Sequence, residues 1–141
     1  MNLALEQARI AYSEKEVPVG AVIVKGDKVI ALGRNKRETL KNAIYHAEID
    51  AIDKACKALG GWRLWECEMF VTLEPCPMCA GAIINSRLKR VVFGAYDKKA
   101  GACGSVVDLF SFPFNHKADI SKGILEHECS NILKDFFKNL R

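Results

Sequence analysis

The sequence predicts a three-layer α/β/α sandwich on a mixed sheet. Three observations carry that prediction. The nearly continuous apolar run Val17-Pro18-Val19-Gly20-Ala21-Val22-Ile23-Val24 meets the turn Lys25-Gly26-Asp27 and returns through Lys28 to Leu32, an antiparallel hairpin whose first strand is buried on both sides. A strand pattern over Cys67 to Leu73, a helical stretch and another strand pattern over Arg90 to Ala95 then follow, which implies a right-handed crossover and a parallel pair. Amphipathic helical spacing before, between and after these strands supplies the outer layers.

Taken in order, residues 2 to 15 read as a helix that covers a sheet face, with Ala4, Leu5, Ala8, Ala11 and Tyr12 on one stripe. The hairpin follows, then a polar loop from Arg34 to Tyr45. Ile49, Ile52, Cys56 and Leu59 give the three- and four-residue spacing of a helix that starts at about His46 and stops at Gly60-Gly61. The strand at Cys67 to Leu73 enters a helix opened by Pro75 and Pro77, where a missing N–H costs nothing. After the strand Arg90 to Ala95, Gly101 to Ser105 form a small-residue loop and Phe110 to Asn115 an irregular segment. Leu125, Cys129, Ile132, Leu133, Phe136 and Leu140 recur at helical spacing and close the chain with a long helix.

At 141 residues, 50% of them hydrophobic, the chain supports one domain, 1–141, with a full core. No apolar run approaches the roughly 18 residues of a membrane span, and the first residues lack the basic start and apolar centre of a signal peptide, so the chain reads as cytoplasmic. Six cysteines in that setting are metal ligands and buried thiols rather than a disulfide framework, with Cys56, Cys67 and Cys129 on apolar faces. A net charge of +4 permits a nucleic-acid partner without requiring one.

The chemistry is concentrated in Thr72-Leu73-Glu74-Pro75-Cys76-Pro77-Met78-Cys79. Positions i and i+3 share a helical face, so Cys76 and Cys79 reach one ion, and an electropositive helix N-terminus favours both thiolates. His46-Ala47-Glu48 supplies the rest. His46 and Glu48 converge only at a helix start, so two helix N-termini face one metal. Three ligands, His46, Cys76 and Cys79, leave a fourth zinc position open for water, the mark of a catalytic site, and Glu48 is the carboxylate able to take that water's proton. The competing reading is a closed structural site with Cys103 or Cys129 as fourth ligand. His116 and His127 read as satisfied loop histidines.

His46-x-Glu48 with Pro75-Cys76-x-x-Cys79 matches the signature of the zinc nucleobase deaminases. Over Glu16 to Val22, Gly33-Arg34-Asn35, Thr72 to Ile83, Ser86-Arg87, Val91 to Ala95, Gly101 to Ser105 and Phe136-Phe137 the chain resembles the bacterial tRNA-specific adenosine deaminases, within the cytidine/deoxycytidylate deaminase superfamily. That resemblance implies a cytidine-deaminase-like fold, a single zinc-dependent deaminase domain, one zinc per chain and conversion of wobble adenosine to inosine. It also implies a tRNA anticodon stem-loop as partner, a homodimer and no membrane. By the same likeness Glu48 moves the protons, Asn35 and the Ala47 backbone hold the base, Val17 lines the pocket, and Asp97 and Lys99 approach the RNA backbone. For Asp97 and Lys99 a solvated loop is the competing reading. Phe137, off the apolar stripe, is a further RNA candidate, and Arg87, Lys89, Arg90, Lys98 and Lys99 are expected around the mouth. Ala43-Ile44-Tyr45 departs from the family's Pro-Thr-Ala, and Tyr45 offers a stacking surface for a flanking base. The apolar and small-residue run Met78 to Ile84 is a candidate subunit interface, against intramolecular packing.

Two other functions fit the motif: a free purine or nucleoside deaminase, guanine above all, and a non-catalytic zinc-stabilised RNA-binding module.

Overall fold

Strands β1 (Gly20–Lys25) and β2 (Lys28–Arg34) form the hairpin, and helix α1 (Asn2–Ser13) precedes them in a computed structural model that describes residues 1–140. Helix α2 (Ala47–Leu59), strand β3 (Cys67–Leu73), helix α3 (Pro77–Asn85), strand β4 (Arg90–Ala95), the short strand β5 (Asp119–Ser121) and helix α4 (Glu126–Asn139) follow. The sheet order is β2-β1-β3-β4-β5. β1 is antiparallel to both neighbours, while β3, β4 and β5 run parallel, so the mixed sheet has its switch of direction between β1 and β3.

α1 and α4 touch each other across one face of the sheet, and α2 and α3 across the other. Covering both faces explains why Val22 and Ile23, which point to opposite sides, are both buried. The α2 side carries the larger core, with Ile23, Met69, Val71, Ile83, Val91 and Phe93. There α2 presents the buried alanines 47, 51 and 55, and Gly33 of β2 lies so close to the Ala47 carbonyl that a Cβ would not fit. That close approach carries the first turn of α2 onto the sheet. On the other side Leu5, Ala95 and Cys129 pack together.

The structure differs from the sequence expectations at four places. β1 begins at Gly20 rather than Val17, because Pro18 has no N–H to give a ladder and the Val19 N–H turns back to the Val17 carbonyl at 2.9 Å. The segment after the small-residue loop contains a 3-10 turn, Leu109–Ser111, with the Asp108 side chain accepting from the Phe110 N–H. β5 is an element the pattern did not announce. Of the three thiols placed on apolar faces, Cys67 and Cys129 are fully buried and Cys56 is only half-buried.

Candidate active site

β3 delivers the chain at Leu73 to a loop that turns directly into α3. Pro77 occupies the first position of that helix and Cys76 is its N-cap, with φ −75° and ψ 173°. His46 is the N-cap of α2 in the same extended conformation, φ −73° and ψ 165°. N-cap side chains commonly accept a hydrogen bond from the helix's own first turn. Neither His46 nor Cys76 does, so both are free to face each other across the gap between the two helices.

His46 Nδ1 lies 3.6 Å from Cys76 Sγ and 3.6 Å from Cys79 Sγ. All three ligand atoms fall within 4.8 Å of one another, and among the described residues no other His, Cys, Asp or Glu joins the group. Zn–N and Zn–S bonds of about 2.1 and 2.3 Å at tetrahedral angles require an N···S edge of about 3.6 Å, so the donor set fits zinc in both chemistry and spacing. Cys103 and Cys129 are buried elsewhere, in the two cores.

The three groups are close enough to share protons. A hydrogen bond from the Cys79 thiol, with His46 also contributing, brings Cys76 down to about 4, and the same sharing pushes Cys79 up. The bond to Cys76 raises His46 despite its burial. Glu48, in the first turn of α2, is 4% exposed. Burial pushes its carboxyl up to about 7, countered in part by its own backbone N–H and by His46.

A pocket of about 220 Å³ opens over these groups, lined by Val17, Asn35, Ala47, Glu48, Leu73 and Asp97 as well as His46 and Cys76. The Asn35 amide donates to the Val17 carbonyl at 3.2 Å and its oxygen accepts the Arg37 N–H at 3.2 Å, which fixes the side chain at the wall. The nitrogen keeps one further N–H to donate and the oxygen one further lone pair to accept with. Asp97 folds on its own turn instead, accepting the Lys99 and Ala100 N–H groups at 3.0 and 3.1 Å.

The pocket runs into an open groove of about 750 Å³ that shares Val17, Arg37, Leu73 and Asp97 with it. Lys98, Lys99, Lys134 and Lys138 supply its charge, and Tyr96 and Phe137 are exposed aromatic walls. The place of Phe137 off the apolar stripe pointed to it and the family likeness to Lys99, and Lys98 was expected at the mouth, but nothing pointed to Arg37, Tyr96, Lys134 or Lys138. For Lys134 and Lys138 the signal available was the outward stripe of α4, opposite its apolar one.

The three basic residues Arg87, Lys89 and Arg90 do not surround the mouth. Arg87 lies over the Trp62 ring, and Arg90 bonds Glu68 and Ser121 at the start of β4. The pocket is at the other end of that strand, about 16 Å away at the usual rise per residue. Tyr45 lines neither cavity; its hydroxyl turns along α2 to Asp53 at 3.4 Å. Of the run Met78 to Ile84, Cys79, Ala80, Ile83 and Ile84 pack inward, leaving Met78, Gly81 and Ala82 half-exposed.

Glu74 is the residue whose part the motif did not disclose. It is 2% exposed, and although burial pushes its carboxyl up, hydrogen bonds from Ser105, Asp97 and Cys103 outweigh that and hold it below the ordinary carboxylate range.

A family model for MafB19-like deaminases matches residues 1–141. The chain belongs to that deaminase family. This deaminase is 49% identical to the tRNA-specific adenosine deaminase of Bacillus subtilis (strain 168) over 142 residues, covering 100% of this chain and 88% of that protein. A solved structure described as a tRNA:A34 deaminase, studied for A-to-I editing at the wobble position of transfer RNA, superposes with a TM-score of 0.92 at 46% identity, over 94% of this chain and 97% of that one. The guanine deaminase of Bacillus subtilis is similar at 33% identity and a TM-score of 0.66, over 98% of this chain and 90% of that one.

Proposed function

We propose that this deaminase converts adenosine to inosine at the wobble position of a tRNA, as one zinc-dependent domain working in the cytoplasm. The observation that carries the reading is the continuity of a base-sized pocket with a basic, aromatic groove. A free-purine enzyme has no use for four lysines and two exposed rings beside its pocket, whereas a flipped nucleotide needs its neighbours and their phosphates held.

Deamination adds water across the C6–N6 bond: the water oxygen bonds to C6, the C6–N6 bond breaks, and ammonia leaves. His46, Cys76 and Cys79 would hold the zinc, which would supply the Lewis acidity that makes a water nucleophilic near neutral pH. Glu48 takes one proton from the attacking water and gives it to purine N1, then carries the remaining proton of the hydroxyl bonded to C6 to the departing nitrogen. A buried carboxyl with few hydrogen-bond donors around it is suited to both directions of transfer. Asn35 and the Ala47 backbone hold the base edge and Val17 packs on its face. Lys99 meets phosphate, and Asp97 shapes the turn that carries it. No helix among the described residues is long and apolar enough to cross a membrane.

A homodimer completes the reading, since a domain of this size has little surface for an anticodon stem-loop and the half-exposed Met78, Gly81 and Ala82 offer a self-complementary contact. Sedimentation at micromolar concentration checks it, and a fully active monomer contradicts it. The guanine deaminase similarity keeps one second reading, free-purine deamination. Nucleoside analysis of tRNA after incubation distinguishes them: inosine confined to the wobble position, with a rate at subsaturating RNA that falls steeply with salt, is expected here. Deamination of free purines alone, with no salt slope, favours the other.

A further inference from the structure

We propose that Glu74 is a positioning residue: its carboxylate fastens the 97–105 loop to the end of β3 and so holds Asp97 and Lys99 where the pocket meets the groove. The inference rests on the RNA-deaminase reading above and extends it to a residue that touches no substrate.

Glu74 ends the segment that supplies Cys76 two residues later. One carboxylate oxygen accepts the Asp97 N–H at 3.1 Å and the Ser105 hydroxyl, and the other accepts the Cys103 and Ser105 N–H groups at 3.0 and 3.1 Å. A carboxylate has about four acceptor positions, so this one is fully used. The backbone on either side repeats the attachment: the Glu74 N–H donates to the Ala95 carbonyl and the Ala102 N–H to the Pro75 carbonyl, both at 2.8 Å. A Cβ on Gly101 would fall on the Glu74 carboxylate, so the loop approaches through bare backbone.

The consequence passes outward in two steps. Glu74 fixes the Asp97 backbone, and Asp97 then fixes the next turn by accepting from Lys99 and Ala100. That turn forms part of the rim common to both cavities, with Asp97 and Ala100 on the pocket side and Lys98 and Lys99 in the groove. One buried carboxylate thus joins the backbone pairing in setting the register between the metal ligands and Lys98 and Lys99. Glutamine in its place turns an amide donor toward N–H donors, which releases the loop without a change of size.

The test is kinetic, on the zinc-loaded protein with an anticodon stem-loop RNA carrying a wobble adenosine, at several salt concentrations. Glu74→Gln raises KM by about tenfold and lowers kcat by less than about threefold, because positioning is lost while the reacting groups stay. Zinc remains at one per chain. Lys99→Ala reduces the salt slope of KM by about one in the wild type and leaves it unchanged in the Glu74→Gln background, where the lysine is already displaced. Ser105→Ala, which removes one donor only, gives a milder rise of about threefold and decides the matter by the same Lys99 comparison if Glu74→Gln does not fold. A residue that merely stabilised the fold would lower the active fraction and the melting temperature while KM and the effect of Lys99→Ala stayed the same, and that result overturns the proposal. A wild type with no activity on RNA is a different failure, that of the RNA reading itself.

Discussion

Two glutamates flank the His46, Cys76 and Cys79 cluster, both shielded from solvent and differently partnered. Glu48, in the first turn of α2, has few donors around it and is driven up to about 7 by burial. Glu74, at the end of β3, is surrounded by three backbone N–H groups and a hydroxyl and is held below the ordinary range. Burial opposes ionisation at both; it dominates at the deeper Glu48, while hydrogen bonds outweigh it at Glu74. A carboxylate that must trade protons is left under-solvated. One that must hold a loop is saturated, and it forgoes proton chemistry by being saturated.

The largest expected difference between the two is in turnover. Glu48→Ala keeps zinc and fold but loses about 10²–10⁴-fold in kcat, more if one carboxylate serves several proton steps. Inosine release and elemental zinc analysis on the same sample check this; near-wild-type turnover would remove Glu48 from the reaction.

Stability shows the reverse ranking. Glu74→Gln costs about 3 kcal/mol, since several buried donors lose a charged acceptor at once, whereas Glu48→Gln stabilises the zinc-free protein. The pH dependences have opposite signs. Glu74 has a lowered folded pKa, so its stabilisation is present above the ordinary value of 4.5 and disappears as pH falls through the folded value. Glu48 has a raised one, so its cost is absent below 4.5, grows as pH rises toward about 7 and is constant above. Melting curves of the chelated proteins across that range should show the Glu74→Gln deficit closing in acid and the Glu48→Gln advantage opening toward neutrality. Parallel curves would mean that hydrogen bonding does not separate the two carboxylates. The smallest effect is that of Ser105→Ala, about 1 kcal/mol in thermal unfolding, because a single donor is removed.

What the sequence disclosed follows from the range of the interactions involved. The hairpin, the crossover and the helix starts depend on neighbours within a few residues, and His46, Cys76 and Cys79 carry a spacing that suits a shared ion. β5 escaped notice because three residues, Asp119–Ser121, are too few for a period and gain their pairing only from β4. Arg87, Lys89 and Arg90 lie before or at the start of β4, and sequence does not tell at which end of a strand a site lies. Glu74 was legible as part of the motif but not as a fastener, since its partners are 23 to 31 residues further along.

The central claim is that pocket and groove act together on a base within RNA. Its most direct test is a comparison of kcat/KM for an anticodon stem-loop with adenosine at the wobble position against free adenosine and guanine, with the zinc-loaded protein at low salt. The account predicts inosine in the stem-loop at a rate far above either free compound. Faster turnover of guanine or free adenosine than of the stem-loop would contradict it.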